Sequence, residues 1–272
     1  MSDNSQSIAQ AFVRARRAAQ ALPDYPGEQP TSLDAAYVIQ DRALELWTDD
    51  TIAGWKVGLI KSPWLERFGG ENRLLGPIFS RSIQAVRSAD EIEFPVFVGG
   101  FAAVEAEFVI RLNADAPRDK TQWTAEEAGG LVAQMHIAIE PAGSPLATIN
   151  DLGPAVTISD FGNNAGLILG PVIADWRDRP LETLATETFI DGKSVGKGSA
   201  ASLPGGPLGA LAFALSRSAK RGRPLKARDL VSTGATTGVH EIKAGQSARC
   251  DFGACGQIRV RAVPRSPNAT AK

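Results

Sequence analysis

FAAVEAEFVIRL, residues 101–112, is the stretch on which the fold turns. As a strand, its alternation puts Val104, Ala106, Phe108, Ile110 and Leu112 on one face, and Glu105 with Glu107 on the other. Two carboxylates two residues apart on one face repel each other unless a positive group lies between them. A divalent cation meets that need, whereas a solvent-facing strand of alternating charge is the plainer account of this motif taken alone. A third acid, Glu140, closes the apolar run HIAIE at 136–140 and is followed by Pro141. This spacing predicts a strand that delivers a carboxylate at its boundary, where a side chain can face a cleft. Three carboxylates on one cation leave about three octahedral positions for substrate oxygens and water.

Around this stretch, residues from Thr51 onward form short apolar runs rich in Val, Ile, Phe and Gly, separated by turn residues, which predicts strands with few helices. Before it, Ile8, Ala9, Phe12, Val13, Ala19 and Leu22 recur near the helical period up to Pro23. A second helical set, Leu33 to Trp47, follows the cap candidates Thr31 and Ser32. Further helices are predicted from Thr124 to Met135, with Glu127 at the capping-box spacing, and from Leu208 to Lys220 before Arg221-Gly222. The expected organisation is an N-terminal helical segment at 1–52, a β-rich catalytic domain at 53–265 and a flexible polar tail at 266–272.

Composition narrows the chemistry. The 272 residues hold 29 Lys+Arg, 30 Asp+Glu, two His and two Cys. A three-His zinc centre and a four-Cys zinc or iron–sulfur site are therefore excluded within one chain, and metal chemistry must rest on carboxylates, which select Mg²⁺ or Mn²⁺. A net charge of −1 gives no footprint for nucleic acid or an anionic membrane. The basic run Lys220, Arg221, Arg223, Lys226, Arg228 reads as a solvated helix end and loop. Residues 1–6 lack a basic and apolar leader, and the uncharged run 198–216 is broken by Pro204, Gly205, Gly206, Pro207 and Gly209. The expectation is a cytoplasmic protein with reduced cysteines, Cys250 and Cys255 flanking a tight turn.

Two more motifs bear on chemistry. Lys56, in the run IAGWKVGL at 52–59, either snorkels from a sheet face or sits in a pocket, where a lowered pKa would make it usable as an acid or base. At 229–239, DLVSTGATTGV takes an apolar strand into a turn of hydroxyls and glycines. Its hydroxyl and N–H groups suit a carboxylate or phosphate, or else form an ordinary polar hairpin. His136 heads a strand and His240 is expected in a loop.

Taken in order, GWKVG at 54–58, VEAEF at 104–108, AIE at 138–140, NNAG at 163–166 and STG at 232–234 resemble the fumarylacetoacetate hydrolase superfamily. Within it they are most similar to the 2-oxopent-4-enoate hydratase and 4-oxalocrotonate decarboxylase branch, over nearly the whole chain. The resemblance implies an α+β fold with a mixed, β-roll-like sheet core and N-terminal helices, working as a homo-oligomer in aromatic compound catabolism. It implies Mg²⁺ or Mn²⁺ held by Glu105, Glu107 and Glu140. Lys56 is then the catalytic proton carrier or carboxylate anchor, and Gly58, Asn164 and Thr233 bind substrate. The implied reaction is hydration of a 2-hydroxy-2,4-dienoate through a metal-bound enolate to a 4-hydroxy-2-oxo acid. Decarboxylation of a 4-oxalocrotonate-like diacid and a non-catalytic 2-oxo-acid-binding partner subunit are the alternatives. C–C hydrolysis ranks lower, because neither histidine stands where the superfamily's hydrolases draw on a His/Glu pair. One departure stands out: Ser80-Arg81 occupies the place of an acidic pair common in the hydratases, and Arg81 there suggests capture of a second substrate carboxylate.

Overall fold

The computed structural model describes residues 4–87 and 91–267. Two amphipathic helices come first. In α1 (Ser5–Ala18), Ile8, Ala9, Phe12 and Val13 are buried; α2 (Leu33–Leu46) starts where the Ser32 hydroxyl accepts the Ala35 N–H at 3.1 Å, as the cap position predicts. They are followed by β1 (Ile52–Leu59), the short α3 (Trp64–Arg67), β2 (Arg73–Phe79), β3 (Ile83–Ala85), β4 (Ile92–Val96) and β5 (Phe101–Leu112). Next come α4 (Ala125–Gly129), β6 (Val132–Ser144), α5 (Pro154–Ser159), β7 (Leu167–Val172), β8 (Ala185–Ile190) and β9 (Lys193–Ser199). The chain closes with α6 (Gly206–Lys220), β10 (Leu230–Ser232), β11 (His240–Glu241), β12 (Ser247–Asp251) and β13 (Gln257–Pro264).

The strands form two mixed sheets, and the α+β expectation holds. The larger runs β2-β1-β10-β5-β6-β7-β3, with β11 also paired to β5; the smaller runs β4-β13-β12-β8-β9. Parallel pairs join β1 to β10, β3 to β7 and β13 to β4, and the other pairs are antiparallel. As the alternation predicts, Val104, Ala106, Phe108, Ile110 and Leu112 enter the main core, where Phe108 meets Phe252 edge-on with ring centroids 5.8 Å apart. A second core lies under α1 and α2, where Trp47, Phe79 and Phe161 pack with centroids 5.1–5.6 Å apart.

Four local expectations change. The helix predicted to reach Met135 stops at Gly129, although its capping box is present: Thr124 Oγ1 accepts the Glu127 N–H, and Glu127 Oε2 accepts the Thr124 N–H. Gly129-Gly130 weakens the helix, and the β-branched residues beyond it favour the long strand β6. Glu140 does not end its strand. β6 continues through Pro141 to Ser144, because β7 pairs β6 only as far as Ile139, and a proline is tolerated where a ladder neighbour falls away. His240 pairs with Val104 in β11 rather than lying in a loop. Within the basic run, Arg221 is not solvated: it packs over Tyr37 at 4.4 Å and pairs with Asp41 at 2.7 Å. Cys250 and Cys255 are free thiols on either side of a turn at Gly253. The predicted tail at 266–272 lies outside the described residues from 268 onward.

Candidate metal centre

Sheet register builds the site. In the β5–β6 pairing Glu105 stands directly opposite Glu140, and Glu107 lies two residues along the same face of β5. Carboxylate oxygens of the three residues come within 4.8 Å of one another. Across β10, β1 places Lys56 beside them, its Nζ 3.4 Å from Glu140 Oε1. All four side chains are buried: Glu105 and Lys56 are 5% exposed, Glu107 and Glu140 0%. Like charges directly opposed on a sheet destabilise it, and burial removes the water that would screen them.

Each carboxylate is only partly satisfied. Glu107 Oε2 accepts the Ser232 hydroxyl at 2.5 Å and the Gly234 N–H at 2.9 Å, while Glu140 Oε1 accepts the Asn164 amide at 3.0 Å. Glu107 Oε1 and Glu140 Oε2 are buried with no protein partner. Burial, reinforced by Glu140, pushes the Glu105 carboxyl up to about 7 against the opposing pull of Lys56. Burial and the repulsion of Glu140 and Glu105 raise Glu107 well above its ordinary value. Three carboxylates and one ammonium sum to −2, which a divalent cation balances. The hard oxygen set, its convergence and its two unpartnered oxygens all fit Mg²⁺ or Mn²⁺.

The site opens on a cavity of about 380 Å³. Lys56, Glu105, Asn150, Thr157 and Asn163 give it a polar wall, while Leu59, Trp64, Leu74 and Val239 give it an apolar one. Gly58 also lines it, for a steric reason: a Cβ there would lie 3.0 Å from Leu74 Cδ1 and 3.6 Å from Lys56 Nζ. For Lys56 the direction differs from the expected one. Burial disfavours its charge, but Glu140, Glu105 and Glu107 outweigh burial and hold the ammonium well above its ordinary pKa.

The remaining sequence candidates lie elsewhere. Thr233 is buried, with its hydroxyl on the Phe108 carbonyl at 2.8 Å, and it does not line the cavity. In the Ser232–Gly234 turn the Ser232 hydroxyl and Gly234 N–H serve Glu107, and the Thr233 hydroxyl and N–H serve the Phe108 carbonyl, instead of lying free for an anion. Asn164 and Arg81 line a separate cavity of about 470 Å³. Arg81 sits in a short turn at 80–82 where its own N–H and the Ser80 hydroxyl donate to the Asp50 carboxylate, so it is not beside the glutamates.

Asn163 stood in the NNAG motif without an assigned role, and two contributors had no place in the sequence reading. Trp64 carries no motif that distinguishes it from a surface residue. Arg16 had a readable signal, since it follows Ile8 and Phe12 at four-residue steps and so falls on the apolar stripe of α1. It is 4% exposed and forms an ion pair with Asp160. Next to that pair, Phe161, Gly162 and Asn163 have φ of 53°, 66° and 62°. Left-handed backbone costs a non-glycine residue about 1–2 kcal/mol. Gly162 is required for space as well, because a Cβ would lie 2.7 Å from Gly76 Cα.

No protein-family model matches the chain. The fold is shared with a yeast fumarylacetoacetate hydrolase family protein, with a TM-score of 0.51 over 78% of this chain and 93% of that one, at 13% identity. A closer match is the 4-oxalocrotonate decarboxylase from Pseudomonas putida G7, solved with magnesium and adipate. Its TM-score is 0.79 at 18% identity, covering 97% of this chain and 98% of that one. In sequence, the chain is 27% identical over 269 residues to a 2-keto-4-pentenoate hydratase of Burkholderia vietnamiensis, covering 96% of this chain and 98% of that protein. It is 25% identical over 255 residues to a 4-oxalocrotonate decarboxylase of a Pseudomonas species, at 92% and 95% coverage. Its homologues thus include proteins named 2-keto-4-pentenoate hydratase and 4-oxalocrotonate decarboxylase.

Proposed function

We propose that this protein is a divalent-metal-dependent hydro-lyase that adds water to a 2-hydroxy-2,4-dienoate, giving a 4-hydroxy-2-oxo acid, in aromatic compound catabolism. The observation that carries the proposal is the convergence of Glu105, Glu107 and Glu140 beside Lys56 at the wall of one cavity. Near-full-length similarity to enzymes named as 2-keto-4-pentenoate hydratases supports it. Glu105, Glu107 and Glu140 would hold Mg²⁺ or Mn²⁺, which supplies Lewis-acid stabilisation of negative charge on the substrate's 2-oxygen.

The chain's own groups do the rest. Lys56, kept as an ammonium by its glutamate neighbours, anchors the substrate carboxylate or delivers a proton to carbon. In the balanced reaction the enol proton leaves the 2-oxygen and a proton is added at C5, producing a conjugated 2-oxo-3-alkene. Water then gives its hydroxyl to C4 and a proton to C3. The polar wall at Asn150, Thr157 and Asn163 offers hydrogen bonds to the added water, and Trp64 with Leu74 covers the apolar end of the diene. Thr233, implied as a substrate ligand by resemblance, and Arg81, suggested as the captor of a second substrate carboxylate, do not line this cavity, and Asn164 acts on Glu140.

One observation favours a second outcome. Lys61 also lines the cavity and gives it a second ammonium, suited to a 2-oxo diacid and hence to decarboxylation of a 4-oxalocrotonate-like substrate. We further infer a homo-oligomer in the cytoplasm; two free cysteines fit a reducing compartment. No helix among the described residues is long and apolar enough to cross a membrane.

Product analysis tests the proposal. Purified protein with Mg²⁺ or Mn²⁺ is incubated with 2-hydroxypenta-2,4-dienoate and, separately, with a 2-oxo-hexenedioate. A 4-hydroxy-2-oxo acid from the first supports hydration, and CO₂ released from the second supports decarboxylation. Metal-bound, folded protein that turns over neither would overturn both.

A further inference from the structure

The left-handed run at 161–163 lies between Asp160 and Asn164, and one side chain from α1 holds both ends. The Arg16 Nε and Nη2 donate to the two Asp160 carboxylate oxygens, and Nη2 also reaches the Asp160 carbonyl at 3.2 Å. Nη1 donates to the Asn164 carbonyl at 2.9 Å, and Nη2 to the Gly143 carbonyl of β6 at 2.9 Å. The guanidinium thus addresses five acceptors, three of them shared between the two N–H groups of Nη2. The Ser144 hydroxyl donates to Asp160 Oδ2 at 2.6 Å, and the Phe161 ring lies 5.2 Å from the guanidinium carbon. Arg16, Asp160, Ser144 and Asn164 are all buried.

The loop held in this way ends in a side chain that acts on the metal centre. The Asn164 amide donates to Glu140 Oε1 at 3.0 Å and to the Gly166 carbonyl at 3.1 Å. With Lys56 Nζ also on Oε1, Glu140 Oε2 is the oxygen left without a protein partner. We propose that Arg16 is a positioning residue for Glu140. Its guanidinium staples both ends of a backbone run that would otherwise relax, and so keeps the Asn164 amide aimed at Glu140 Oε1 and Oε2 free for a cation. Strained backbone persists only where its surroundings over-determine it, and here Arg16 of the N-terminal helix bonds to both ends of the run. The inference rests on the proposed metal centre and assigns Arg16, Asp160 and Asn164 to its support.

Mn²⁺ titration of the purified full-length protein, followed by the electron paramagnetic resonance of free Mn²⁺ well below the melting temperature, provides the test. Arg16→Lys keeps the charge but has three donors for five acceptors, and is expected to weaken Mn²⁺ binding about 10-fold or more, the usual effect of losing an outer support of a metal ligand. Asn164→Ala is expected to do the same, and the double variant to bind no more weakly than Asn164→Ala alone, because both act through one contact. A Phe12→Leu change on the same helix should lower the melting temperature and leave Mn²⁺ affinity unchanged. If Arg16→Lys does not fold, Ser144→Ala, which removes one contact to Asp160, should still weaken Mn²⁺ binding severalfold. Unchanged affinity in Arg16→Lys, full additivity in the double variant, an equal loss in Phe12→Leu, or unchanged affinity in a Ser144→Ala protein used as the substitute would each overturn the inference. Wild-type protein that binds no Mn²⁺ would instead overturn the metal centre itself.

Discussion

Replacing Glu105 with Gln should stabilise the metal-free protein at pH 8 while destroying its response to metal. Burial and Glu140 lift the Glu105 carboxyl from 4.5 to about 7, so the folded state binds this proton more tightly than the unfolded chain does. Stability is therefore lost as pH rises from about 4.5 through 7, and the loss is constant above that. At 1.36 kcal/mol per pH unit, the penalty is about 3 kcal/mol at pH 8 and under about 1 kcal/mol at pH 5. Lys56 does not alter the sign: its folded-state pKa is raised from 10.5, so its contribution is constant throughout this window. Glutamine fills the same space without charge. For a chain of this size, about 3 kcal/mol corresponds to a rise of about 6–12 °C in melting temperature. Thermal unfolding of the chelator-treated variant and wild type at pH 5 and pH 8 measures it. At a Mn²⁺ concentration 100 times its Kd, the wild type should gain about 2.7 kcal/mol and Glu105→Gln close to none. A variant equally destabilised at both pH values would refute a buried, uncompensated charge at 105.

Three other outcomes follow from the same geometry. Lys56→Met should lower turnover at least about 100-fold while Mn²⁺ still binds, as expected for the loss of a proton carrier or anchor and not of a metal ligand; steady-state kinetics beside metal titration separates the two. Arg81→Ala should change kcat/KM by less than about twofold, since Arg81 lines the other cavity; a tenfold loss would put it in the substrate's path. Gly162→Ala, which combines φ of 66° with a Cβ 2.7 Å from Gly76 Cα, should cost about 2 kcal/mol or more in denaturant unfolding.

What could be read from the chain divides along physical lines. The two-residue period of β5 is a local property, so Glu105 and Glu107 could be placed on one face from their spacing alone. That Glu140 stands opposite Glu105 is a matter of register between strands some 30 residues apart, and Pro141 misleadingly suggested a strand end. Thr233 was carried over by resemblance, and Arg81 was read from a departure from it. Their true surroundings, the Phe108 carbonyl and the Asp50 turn, are long-range contacts without a local signature. Helix boundaries followed caps where tertiary packing agreed, as at Ser32, and overshot at Gly129-Gly130, where β6 competes for the same residues. Arg16 lay in plain view on an apolar helical stripe, but its five acceptors come from segments more than 120 residues away.

Crystals of the protein soaked in Mn²⁺ and measured at an energy where manganese scatters anomalously would test the metal centre on which the whole account rests. The account predicts one strong anomalous peak, about 2.0–2.5 Å from a carboxylate oxygen of each of Glu105, Glu107 and Glu140, on the wall of the cavity that holds Lys56. A peak away from these three residues, or none at saturating Mn²⁺, would contradict it.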